Sequence, residues 1–166
     1  MLKLAILIKP NFKIKNLCYS TKKKFKIKYG KQKYLDHFPH VTILTINVKN
    51  NFINNIDEIV KEIKIYKKIP INFSSFNYFP QDPITGLNTI YLKVNKNKKL
   101  KLLQNNILKL LNKYKSNNNL DKNKFNFNST QFKNLIKFGY PFVNKEFHPH
   151  LTICSLENKY FKDIFI

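Results

Sequence analysis

The chain has no arginine and no tryptophan, one alanine (Ala5), three glycines and two cysteines in 166 residues. None of the glycines falls in a G-x-G-x-x-G or G-x-x-x-x-G-K context, which argues against a nucleoside-triphosphate enzyme built on a glycine-rich cradle. Cys18 and Cys154 lie far apart and form no framework, as suits a reducing compartment. Long apolar runs are missing too. The segment Leu2–Ile8, closed by Lys9 and Pro10, is too short for a signal core or a membrane span and reads as a first strand. No membrane association is expected, and cytoplasmic residence is.

Carboxylates are scarce: nine Asp and Glu stand against 31 basic residues, all lysine, for a formal charge of +22. Lys, Asn, Ile, Phe and Tyr together fill 99 positions. These residues have A/T-rich codons, so a strongly AT-biased genome accounts for much of the lysine excess. Codon bias does not by itself require so few carboxylates, however, and a field this positive draws in polyanions. At 43% hydrophobic and 24% charged the composition is that of an ordinary globular protein. A chain of this length buries roughly 70% of its unfolded surface, enough for a core without metal or disulfide. Residues 1–166 are therefore read as one domain, acting as a monomer.

The order of elements follows from periodicity and turn residues. After the strand Leu2–Ile8, Ile14, Leu17 and Cys18 mark a helix from Phe12 to about Lys24, where a lysine run dissolves the pattern. His40 to Ile46 alternates and is β-branched, which predicts a strand. Asn51 caps an expected helix over Phe52–Lys68, with Phe52, Ile56, Ile59, Val60 and Ile63 on its apolar face. Strands at Ile71–Phe79 and Asn88–Val94 flank the turn signals Pro80, Asp82-Pro83 and Gly86, an antiparallel pair. Leu100–Tyr114 is a second amphipathic helix, and 115–128 is low-complexity loop. Gln131–Lys137 is a short helix or strand, His150–Cys154 a strand, and Glu157–Ile166 an amphipathic tail. Mixed elements with a hairpin indicate α+β rather than a doubly wound parallel sheet.

The four histidines form two clusters, His37 with His40 and His148 with His150. One member of each opens the same pattern after a proline: Pro39-His40-Val41-Thr42-Ile43 and Pro149-His150-Leu151-Thr152-Ile153. With only seven threonines in the chain, this repetition exceeds what a short motif shows by chance. On a strand, His and Thr two apart share a face while their apolar neighbours enter the core. Two such strands side by side set two imidazoles and two hydroxyls around one cleft. Histidines near neutral pKa can serve as general base and general acid on opposite sides of a phosphorus centre. Threonine hydroxyls can donate to non-bridging oxygens as charge develops.

With its paired His-x-Thr motifs 110 residues apart, the chain resembles the 2H phosphoesterases. That superfamily includes RNA 2′,3′-cyclic phosphodiesterases once called 2′-5′ RNA ligases. The resemblance implies a bilobal, pseudo-two-fold α+β fold, antiparallel sheets flanked by helices, with both histidines facing a central cleft. It also implies metal-independent hydrolysis of 2′,3′-cyclic phosphates or 2′-5′ phosphodiesters in RNA or cyclic oligonucleotides, typically leaving a 2′-phosphate. No cofactor is implied. His40, Thr42, His150 and Thr152 are the catalytic candidates, without a fixed choice of acid and base. The lack of arginine departs from many relatives, so lysine must hold phosphate as a point charge rather than a fork.

Other residues have competing readings. His37 and His148, with Asp36 or Glu146, could complete a four-histidine metal site, since imidazoles suit zinc. That reading leaves Thr42 and Thr152 unexplained; placing His148 at the cleft mouth and His37 in a loop does not. Thr45, three residues after Thr42, is expected on the opposite strand face. Tyr140 and Phe142 precede the second motif and are candidates for stacking a base, ahead of Phe76, Tyr78 and Phe79. Phe52, Tyr66 and Tyr114 belong to the core. From another class, a non-catalytic single-strand RNA-binding protein would use the lysines and aromatics alone.

Overall fold

The computed structural model describes residues 1–66, 69–116 and 125–165. Five antiparallel strands form one sheet in the order β1-β2-β5-β4-β3, where β1 is Leu2–Ile8, β2 Val41–Val48, β3 Phe73–Phe79, β4 Asn88–Val94 and β5 His150–Leu156. The helices are α1 (Phe12–Tyr29), α2 (Ile56–Ile65), α3 (Lys98–Leu111), α4 (Ser129–Phe138) and α5 (Asn158–Phe165).

The chain order is symmetric about the β2/β5 seam. In one half β1 and its antiparallel neighbour β2 are joined through α1; in the other β4 and its antiparallel neighbour β5 are joined through α3 and α4. Each helix crosses to the opposite half, α1 packing on β5 and α3 on β2. The chain leaving each helix bridges the far strand too, at Lys33↔Ser155 and at Val48↔Lys115. One core results, from Cys18 through Ile43 and Leu44 to Leu100, Ile107, Leu151 and Ile153. The opposite face of the sheet is left open at the seam.

Several elements differ from the sequence reading. The lysine run does not end α1, because Lys is a good helix former and Cys18, Lys22, Phe25 and Tyr29 continue one inward stripe to Gly30. The expected helix from Phe52 divides into a 3₁₀ turn, Asn50–Asn55, and α2; Ile56 and Val60 are exposed while Phe52 and Ile59 are buried. The last two residues expected there lie outside the described residues. So do residues 117–124 of the low-complexity stretch and the final residue of the tail. The segment from Gln131 is helical, closed at its start by a capping box between Asn128 and Gln131.

Candidate active site

β2 and β5 meet in register at one pair, Val41↔Leu151, both buried. In an antiparallel ladder the next positions either side place His40 across from Thr152 and Thr42 across from His150. The four candidates therefore form a crossed quartet on the open face. They line a cleft of about 840 Å³, together with Tyr140, Phe142 and His148.

The two halves hold their imidazoles alike. His40 Nδ1 lies 2.8 Å from the Phe38 carbonyl oxygen, and His150 Nδ1 lies 2.7 Å from that of His148. A carbonyl only accepts, so Nδ1 carries the proton in each neutral ring and the lone pair falls on Nε2. Pro39 and Pro149 stand between each histidine and its carbonyl. Proline restricts the preceding residue to extended backbone, which fixes the direction of that carbonyl. Aromatic rings brace the imidazoles further: Phe38 at 4.7 Å from His40, and Phe79 and Tyr91 at 4.9 and 5.0 Å from His150. Burial lowers the His150 pKa; the His148 carbonyl and the Asp82 carboxylate act the other way without reversing it. Its imidazole is thus held neutral more firmly than a free one.

Matching irregularities follow the two motifs. Leu7 pairs with Thr42 and Ile6 with Leu44, so Ile43 is an extra residue in β2. Tyr91 pairs with Thr152 and Ile90 with Cys154, so Ile153 is the extra residue in β5. Each bulge lets two consecutive apolar residues enter the core, Ile43 with Leu44 and Ile153 with Cys154. It also reverses the alternation beyond it. Thr45 therefore lines the cleft beside Thr42, contrary to the strict two-residue period.

His37 and His148 are both exposed at the cleft, in the positions expected of a loop and a mouth residue. The carboxylates proposed to join them are occupied elsewhere, Asp36 by Lys26 at 2.9 Å and Glu146 by Gln131 at 2.8 Å. Among the described residues no three His, Cys, Asp or Glu side chains are grouped so as to hold a metal ion. Tyr140 is half-buried, desolvation raises its hydroxyl pKa, and its ring meets Phe142 edge-on at 5.6 Å. Of the alternative stacking set, Phe79 lines the cleft; Tyr78 instead packs on Phe161.

Sequence reasoning missed several lining residues. Phe125 and Phe127 stack at 5.2 Å, with Phe127 edge-on to Phe142; they were hidden in a stretch read only as loop. Tyr34, left-handed at φ 71°, and the buried Asp82 of the β3–β4 turn also line the cleft. Lys22 is buried at 4% exposure, and its place on the stripe Cys18-Lys22-Phe25-Tyr29 was the available signal.

A family model described as the 2′-5′ RNA ligase superfamily matches residues 18–163, a span that includes both motifs. No curated protein matches the chain.

Proposed function

The chain belongs to the 2′-5′ RNA ligase superfamily, the 2H phosphoesterases, and on that footing we propose that it hydrolyses 2′,3′-cyclic phosphate or 2′-5′ phosphodiester bonds in RNA or cyclic oligonucleotides. One observation carries the reading: two imidazoles, each tethered through Nδ1 to the carbonyl two residues back, sit on one cleft with matched threonines beside them.

His150, whose imidazole desolvation favours in the neutral form, is the general base, and His40, across the seam beside Thr152, is the general acid. On a cyclic phosphate, His150 Nε2 takes a proton from water as the water oxygen bonds to phosphorus. The bond from phosphorus to the 3′-oxygen breaks, and His40, entering the step as the imidazolium, gives its Nε2 proton to that oxygen and returns to the neutral Nδ1–H ring, leaving a 2′-phosphate. Thr42 and Thr152 donate to the non-bridging oxygens as their charge rises. Asp82 favours the imidazolium that His150 becomes. Tyr140, Phe142 and His148 contact the nucleoside at the cleft wall. The protein acts as a cytoplasmic monomer and needs no metal, since the proton transfers use imidazole alone.

The test is incubation with 2′,3′-cyclic mononucleotides and 2′-5′-linked dinucleotides in excess chelator, with the products identified. Turnover to a 2′-phosphate, or scission of the 2′-5′ bond, is the expected result. Activity lost to chelator and restored by zinc would replace this reading with a metal-dependent one. RNA binding without any turnover would favour the non-catalytic alternative.

A further inference from the structure

The wall of the cleft contains a charged group that the chemistry above does not use. Lys22 projects from α1 beneath the loop that leads to His40. Its Nζ donates to the carbonyls of Tyr34 and His37, each at 2.7 Å. Lys22 is 4% exposed and is among the residues that line the cleft. An ammonium has three N–H donors, and among the described residues two of these find a protein acceptor. Among the described residues no carboxylate pairs with it: the nearby Asp36 is bonded to Lys26, and its other close titratable neighbours are the buried thiols of Cys18 and Cys154.

The other half of the fold performs the same fastening without a charge. Gln104, on the pseudo-equivalent helix α3, is fully buried. Its Nε2 donates to Ile43 O at 2.7 Å and to Phe142 O at 3.0 Å, clipping the loop that leads to His150. Both of its amide protons are spent on those bonds, and among the described residues its buried Oε1 has no partner. A neutral amide therefore suffices to pin such a loop, whereas a buried ammonium carries a desolvation penalty that shows as a lowered pKa. The charge and the third donor at Lys22 are left over from the structural task, and an anion in the cleft would satisfy both.

We propose that Lys22 is the phosphate anchor of the cleft, one lysine of 31 built into the site to bind an anionic phosphate oxygen of the substrate. The two carbonyls fix its position, so the substrate meets an oriented cation rather than a mobile surface lysine. The phosphoester reading supplies the identity of the anion, but the inference can be measured without turnover.

The experiment is calorimetric titration of the full chain with inorganic phosphate at low salt. Wild type is compared with Lys22→Met and with Lys23→Met, an exposed neighbour on α1. Loss of one charge-assisted hydrogen bond should weaken phosphate about 10–100-fold in Lys22→Met and leave Lys23→Met unchanged. Equal affinity in Lys22→Met and wild type would overturn the proposal. Should Lys22→Met fail to fold, the wild type decides through the slowly exchanging side-chain ammonium signal that burial gives Lys22 in nitrogen-resolved NMR. That signal should shift with phosphate and saturate at the calorimetric affinity; a signal indifferent to phosphate would overturn the assignment. Phosphate bound through Lys22 in a protein inert toward every cyclic nucleotide would refute the phosphoesterase reading and keep this one. An active enzyme whose phosphate affinity ignores Lys22 would do the reverse.

Discussion

His150 shows how the fold sets one residue's chemistry. Phe79 and Tyr91 pack against it, and burial holds its pKa below the ordinary 6.5. The unfolded chain, whose imidazole is free, binds the proton more readily in the window just below 6.5. The folded state is thus fully favoured above that value and loses stability as pH falls through it. Melting temperature should therefore drop as pH falls below about 6.5 in the wild type, and His150→Asn should flatten that part of the curve. An unchanged slope in the variant would show that His150 is not the group responsible. As the proposed base, the same imidazole should set the acid limb of the rate profile below 6.5, where protonation removes its lone pair. The placement of each His-x-Thr pair on one strand face is legible in the sequence because a two-residue strand period is local. The stripe from Cys18 to Tyr29 marks Lys22 as inward-facing, but what it binds depends on loop carbonyls 12 and 15 residues away, which no local pattern reveals.

At the level of elements, the two bulges and the helix ends place the site. Strict alternation put Thr45 on the wrong face because the extra residue Ile43 is specified by pairing with β1, which the β2 sequence alone does not reveal. The strands were otherwise readable within about two residues from alternation and turn residues. α1 was read too short because a run of lysines looks like a break in hydrophobic pattern while remaining good helix. The connection from α4 to the Tyr140–Phe142 loop depends on Gly139, left-handed at φ 73°. A Cβ there would come to 3.0 Å of Ile46 Cγ1, and Ile46 itself lines the cleft. Gly139→Ala should accordingly lower unfolding stability by about 1–3 kcal/mol, measured by urea denaturation. A neutral substitution would mean that the loop reseats freely and that its packing on β2 does not position Tyr140.

For the whole molecule, charge and symmetry make separate predictions. If the +22 field serves a polyanionic substrate, affinity for a single-stranded RNA oligonucleotide should fall steeply with salt, by a log–log slope of about −0.7 per phosphate neutralised. A slope near zero would make the lysine excess a matter of composition and leave the catalytic claim standing. The family resemblance implies a pseudo-two-fold α+β fold, and in the structure two crossover helices, two bulges and two carbonyl-tethered imidazoles lie about one seam of a single five-stranded sheet. The central claim is that the two halves supply one acid–base pair. The most direct test is turnover of a 2′,3′-cyclic nucleotide by His40→Ala, His150→Ala, the double variant and His37→Ala. Each single variant should lose about 10²–10⁴-fold in kcat. The double variant should be little worse than either, because groups acting in one concerted transfer are not additive, and His37→Ala should be mild. A loss at His37 equal to that at His40, or losses that multiply in the double variant, would contradict the account.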